Sequence, residues 1–259
     1  MNSLQKCLVT MSGYDNGWEV AADGPDSVTL TSANHKAIAT VCANPDGDGW
    51  KIHLPPSRLT EELSRISEEF KSAGTTFLAN SEHMLGNLLS NASRLARTLP
   101  DLPRQTYEQA VAEELFSLNK ESGTTEVERL VRQRVGQQIY RANLMDYWGG
   151  ACAVTGIAIP ELLRASHSKP WSDCSTDADR LNVFNGFLLV ANLDALFDRH
   201  LMTFAATGEA ILAPTIPKEV YLLLGTNNEM RLRWVSPAHE SFLSEHRERF
   251  HKLHQAPQA

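Results

Sequence analysis

One stretch of this chain restricts its possible folds more than any other. It runs from Arg164 to Phe204 and reads RASHSKPWSDCSTDADRLNVFNGFLLVANLDALFDRHLMTF. His167 opens a short polar run that ends in a Lys-Pro-Trp bend at Lys169, Pro170 and Trp171. Further on, Asn185-Gly186 is a tight-turn signal, followed by the apolar run Phe187, Leu188, Leu189, Val190. A run that short, bracketed by turn chemistry, suits a strand. Directly after it comes a candidate helix carrying Asp194 and Asp198, one helical turn apart, with His200 beyond. The order is therefore strand, loop, strand, short helix, with an imidazole on the first arm and carboxylates on the last.

The rest of the chain sets bounds on this core. Its 259 residues suffice for one or two packed domains. The four cysteines, Cys7, Cys42, Cys152 and Cys174, lie far apart with no C-x-x-C pair. That disfavours a disulfide framework and a four-cysteine zinc site, and reads as reduced thiols in a cytoplasmic protein. No apolar run approaches a membrane span, and the first 20 residues lack the apolar stretch of a secretory signal. A net charge of −7 argues against coating nucleic acid by bulk electrostatics, so a nucleic-acid role must rest on a local site.

Residues 1–58 read as β-rich. Short runs at 18–20, 27–31, 37–42 and 50–54 are separated by turn residues, including the Asn-Pro-Asp-Gly-Asp-Gly segment. A helix is expected over 59–73 with Leu59, Leu63, Ile66 and Phe70 on one face, and a second over 81–98. Pro100 and Pro103 then break the helical pattern, which sets a boundary between domains 1–103 and 104–259. Helices are expected over 106–119 and 125–148, with a break at Glu121-Ser122-Gly123 between them. The second has Thr125 as N-cap and Val127, Leu130, Val131, Val135 and Ile139 as its apolar stripe. Arg129, Arg132, Arg134 and Arg141 on its other faces read as a solvated surface, with phosphate contact as the rival reading. A hairpin over 201–213 and a terminal helix opening at Ser236-Pro237 complete the pattern.

Four elements in order carry a family resemblance: Cys152-Ala-Val-Thr-Gly156, then Ala165-Ser166-His167 with Pro170, then Asn185-Gly186-Phe187, then the helix through Asp194 and Asp198. Together they resemble the HNH endonucleases. That resemblance implies an α+β protein whose domain 104–259 holds a ββα-metal nuclease core at 150–204, preceded by a small β-rich and helical domain. It implies a metal-dependent endonuclease acting on DNA, in restriction or phage defence, that leaves 5′-phosphate and 3′-hydroxyl ends. His167 would be the general base and Asn185 the residue that orders the loop and holds His167. Asp194 would be a metal ligand, completed by Asp198 or His200, and Arg164, Lys169 and Arg199 would contact nucleic acid.

The chemistry fits those residue types. A histidine near neutral pKa can deprotonate water, and a hard divalent cation, Mg²⁺ or Mn²⁺, is held by oxygen ligands. Two departures from the family pattern stand out. Asp replaces the usual His or Asn at 194, which suits a hard cation. Ser166 replaces the acidic residue or histidine that many relatives carry before the base, and serine is a poor ligand. Two rivals share the core: a nucleic-acid-binding module without catalysis, and an RNA-directed nuclease or toxin. A homodimer is an expectation for cutting both strands, with no interface legible in the chain. Residues 1–103 contain no motif of assignable function.

Overall fold

The computed structural model describes all residues except 46–47, 67–69, 71, 100–102, 118–124, 228 and 255–259. The chain divides into two compact units, Met1–Leu99 and Pro100–Ala259. Among the described residues, no helix is long and apolar enough to cross a membrane.

The first unit begins with a helix, α1 (Ser3–Asp15), where the β-rich reading has none. Asn2 caps it, accepting from the Gln5 backbone while the Gln5 side chain accepts from the Asn2 N–H. Strands β1 (Val20–Asp23), β2 (Ser27–Thr31), β3 (Ala39–Ala43) and β4 (Trp50–His53) follow. Then come α2 (Arg58–Ile66), a hairpin of β5 (Ser72–Ala73) and β6 (Thr76–Ala79), and α3 (Glu82–Thr98). The hairpin stands where the end of a helix over 59–73 is expected. The described strands form one antiparallel sheet in the order β1-β2-β3-β4-β6-β5. Helices α1 and α3 pack together, and α1 lies on β2 with Gly13 against Leu30. The core gathers Val28, Leu30, Val41, Ile52, Phe77, Leu85, Leu88 and Leu89, and Trp18 donates its indole N–H to the Leu89 carbonyl at 2.9 Å.

The second unit opens with α4 (Pro103–Ser117) and α5 (Thr125–Tyr147) packed on each other. The Pro100 break, the end of the first helix beyond 117 and the Glu121-Ser122-Gly123 break lie outside the described residues, and Thr125, expected as the cap, is the first residue of α5. Within α5 the buried side is Val131, Val135, Gly136, Tyr140, Leu144 and Tyr147, while Leu130 is exposed. The expected stripe is thus rotated toward Tyr140.

A turn at Cys152–Gly156 follows: the Val154 and Thr155 N–H groups point at the Cys152 sulfur, at 3.5 and 3.4 Å. Strand β7 (Leu163–His167) pairs antiparallel with β8 (Gly186–Val190), placing His167 opposite Gly186. A short helix α6 (Asp177–Leu181) lies in the connection, and α7 (Ala191–Asp198) continues from β8 without a loop. Both α5 and α7 pack on β7 and β8. Every residue of β8 is buried, which explains its unbroken apolar run.

The hairpin β9 (Met202–Phe204) and β10 (Ala210–Leu212) follows, then α8 (Lys218–Leu223) and α9 (Glu240–His254). Ser236 caps a short turn of helix that leads into α9. Trp148 stacks on Trp234 at 4.3 Å between ring centroids, and Arg233 lies over both rings.

Candidate active site

Side chains alternate between the two faces of β7, so neighbouring residues enter different surroundings. His167 meets α5, where the Tyr140 ring stacks on its imidazole at 3.8 Å and 17°. Ser166 meets α7 and donates its hydroxyl to the Asp194 carboxylate. No hydrogen bond joins His167 to Asp194.

His167 is held at one nitrogen. Its Nε2 lies 2.9 Å from the Arg180 carbonyl oxygen, an acceptor only, so Nε2 carries the proton. In a neutral imidazole the lone pair is then on Nδ1. Burial pushes the His167 pKa down to about 4, against smaller upward pulls from the Arg180 carbonyl and the Asp198 charge. At neutral pH the ring is therefore neutral, with Nδ1 able to accept a proton.

Asn185 is fully buried, and its hydrogen bonds run to the loop rather than to the imidazole. Its side-chain N–H groups donate to the Lys169 carbonyl at 3.2 Å, the Asp179 carbonyl at 3.1 Å and the Cys174 sulfur at 3.3 Å. Its side-chain oxygen accepts from the Lys169 N–H at 2.8 Å, and its backbone oxygen accepts from the Ser168 N–H. Asn185 thus orders the segment around His167 through residues 168, 169, 174 and 179.

The two carboxylates on α7 differ in setting. Asp194 is half-buried and tied to Ser166, whereas Asp198 is exposed at the helix end and acts on His167 and His200 through its charge. Among the described residues, no three His, Cys, Asp or Glu side chains converge as a metal cluster. The donor set fits a hard cation bound by one or two carboxylates, water and substrate oxygens, as Mg²⁺ commonly is. It does not fit a site built from three protein ligands. His200 serves the fold instead: it turns the chain at φ +53 after α7 and stacks on His246 at 4.4 Å.

Arg164 and Arg199 are exposed, and Arg164 donates to the Glu161 and Leu163 carbonyls. Lys169 is engaged, with its ammonium 3.0 Å from Glu245 on α9, so meeting a phosphate requires that pair to open. Arg249 on α9 likewise reaches Asp173 in the same loop at 2.7 Å. The arginines of α5 are also occupied: Arg129 pairs with Glu126, Arg132 with Glu128, and Arg134 with Glu114, while Arg141 donates to the Leu163 and Pro160 carbonyls. These partners favour the structural reading of that helix over phosphate contact.

The arrangement is two antiparallel strands and a helix, with a neutral, pinned imidazole on the first strand and a carboxylate on the helix. The HNH endonuclease family model matches residues 152–205. The chain carries an HNH-family domain. Comparison with curated proteins gives no match. The HNH domain supports a nuclease-type function in general, and HNH nucleases act on nucleic acid, generally with a divalent metal. The matched segment of the HNH domain contains His167, Asn185, Asp194 and Asp198 but not Tyr140, which the sequence reading passed over. A signal for it exists: Gly136 in a helix interior costs about 1 kcal/mol against alanine, which points to a close approach nearby.

Proposed function

We propose that this protein is a metal-dependent endonuclease that hydrolyses DNA phosphodiester bonds, with His167 as general base. The observation that carries this reading is the pinned Nε2 of His167, which leaves Nδ1 of a neutral ring free to take a proton from water. Asp194 would hold the metal, with Asp198 or the Ser166 hydroxyl beside it. The chemistry such a cation would supply when held there is neutralisation of charge on the phosphoryl oxygens and stabilisation of the leaving oxygen. Asn185 holds the loop that carries the Arg180 carbonyl side of the site, and the exposed Arg164 and Arg199 would contact the phosphate backbone. Restriction or phage defence in the cytoplasm is the setting that the family resemblance implies, with a homodimer as one route to cutting both strands.

The test is plasmid cleavage in Mg²⁺, Mn²⁺ or EDTA, comparing wild type with His167→Ala and Asp194→Ala. Cleavage should require metal and fall by about 10²-fold or more in each variant. Metal-independent binding without cutting of any DNA would sink the nuclease reading and favour a binding module. Cutting confined to RNA would redirect the substrate while keeping the residues' roles.

A further inference from the structure

We propose that α5, outside the matched segment, supplies the positioning wall of the general base, with Tyr140 fixing the His167 ring and Gly136 seating Trp171 at its edge. The inference rests on the reading of His167 as the base and adds residues that the family match does not reach.

Three contacts surround the imidazole. Tyr140 covers one face, stacked nearly parallel at 3.8 Å. Trp171 meets the ring edge-on, at 5.9 Å and 86°. The Arg180 carbonyl accepts a hydrogen bond from the Nε2–H. The wall is itself anchored. Tyr140 is buried, and its hydroxyl donates to the Asn185 carbonyl at 2.9 Å, with the Ser166 carbonyl at 3.4 Å. Those carbonyls belong to the residues flanking the His167–Gly186 pair, so the phenol spans both strands at the base. A Cβ on Gly186 would lie 2.3 Å from that hydroxyl and 1.9 Å from the Ser166 oxygen, so glycine makes the approach possible.

Gly136, one turn before Tyr140, does the same for Trp171. A Cβ there would lie 2.2 Å from the indole. The second face of the wall therefore depends on a missing side chain in α5. Arg180 lies over Trp171 at 5.7 Å and donates to the Trp171 carbonyl, so the residue that pins Nε2 also holds the indole.

A flip of the imidazole about its Cβ–Cγ bond would break the Nε2 contact and turn Nδ1 away. The stacked phenol and the edge-on indole oppose that flip. Placement of the reacting group governs turnover more than substrate affinity, so loss of the wall should appear in kcat.

The experiment uses the full chain with ¹⁵N-labelled histidine. Long-range ¹H–¹⁵N spectra at pH 8 report the tautomer of His167, assigned by loss of its signal in His167→Ala. Steady-state cleavage reports kcat and KM. Wild type should show one Nε2–H species. Tyr140→Leu should show mixed species and a kcat reduced about tenfold or more at nearly unchanged KM, and Tyr140→Phe, which keeps the stacked ring, should recover most of it. Trp171→Leu, at a partly exposed position, should shift in the same direction and serves if Tyr140→Leu does not fold. A folded Tyr140→Leu or Trp171→Leu with the single Nε2–H species and wild-type kcat would overturn the proposal. If wild type cuts no nucleic acid, the nuclease reading fails while the tautomer spectra still decide whether α5 fixes the ring.

Discussion

At the residue scale, two histidines tie stability to pH. His246 donates its Nε2 proton to the Phe197 carbonyl and accepts from the Thr203 hydroxyl at Nδ1 while stacked on Phe197, and burial pushes its pKa down to about 3. His167 is lowered to about 4. In the unfolded chain both return to about 6.5, so between pH 6.5 and 4 the unfolded state binds more protons. Stability is therefore full above pH 6.5 and falls with pH, by up to about 1.4 kcal/mol per unit for each histidine. Urea midpoints at pH 7 and pH 5 should differ accordingly, and His246→Gln should flatten the dependence. Asn185 gives a second test. Removing its amide orphans the half-buried Lys169 N–H and two loop carbonyls, so Asn185→Ala should cost about 2–4 kcal/mol by thermal or urea unfolding. Its sequence signal, an Asn-Gly pair before an apolar run, marks the turn clearly. Nothing in that pair tells which groups the amide meets, because its partners come from residues 169, 174 and 179.

At the element scale, the ββα core was legible because its local signals agree. The strand β8 is apolar throughout, since helices pack on its hairpin and leave it no solvent face, and α7 follows at once with Leu193, Leu196 and Phe197 buried. Elements held mainly by tertiary contact were harder. Helix α1 buries only Val9 and Gly13, so its apolar pattern is weak, although Asn2 and Gln5 carry a capping signal. The β5–β6 hairpin was hidden because Phe70 extends the helical spacing of Leu59, Leu63 and Ile66, and because its pairing partner β4 lies far back in sequence. The tight crossing of α5 on the hairpin yields a prediction. Gly186→Ala should destabilise the second unit by about 1–3 kcal/mol, since the added methyl meets the Ser166 backbone as well as the buried Tyr140 hydroxyl. Differential scanning calorimetry would register it, and an unchanged transition would mean that β8 can slide on β7.

At the scale of the whole molecule, charge limits how nucleic acid can be held. The chain is acidic overall, with a net charge of −7, and the cations near the site are mostly occupied by carboxylates or carbonyls. With the exposed Arg164 and Arg199 as the two phosphate contacts, log affinity for duplex DNA should fall against log salt with a slope near −2. Fluorescence anisotropy of a labelled duplex from low to moderate salt measures it, and a slope several times steeper would require a basic surface elsewhere.

The loop around His167 is also clasped from α9, through Lys169–Glu245 and Arg249–Asp173. That clasp bears on how such a domain travels between genes. A cassette cut at the edges of residues 152–205 would carry the histidine and both carboxylates into a new host, but leave behind the α5 side of the wall and the α9 half of the clasp. Recombination that preserves a working copy should therefore exchange the longer stretch from α5 through α9, and shorter transfers should leave relics that keep the motif without its chemistry.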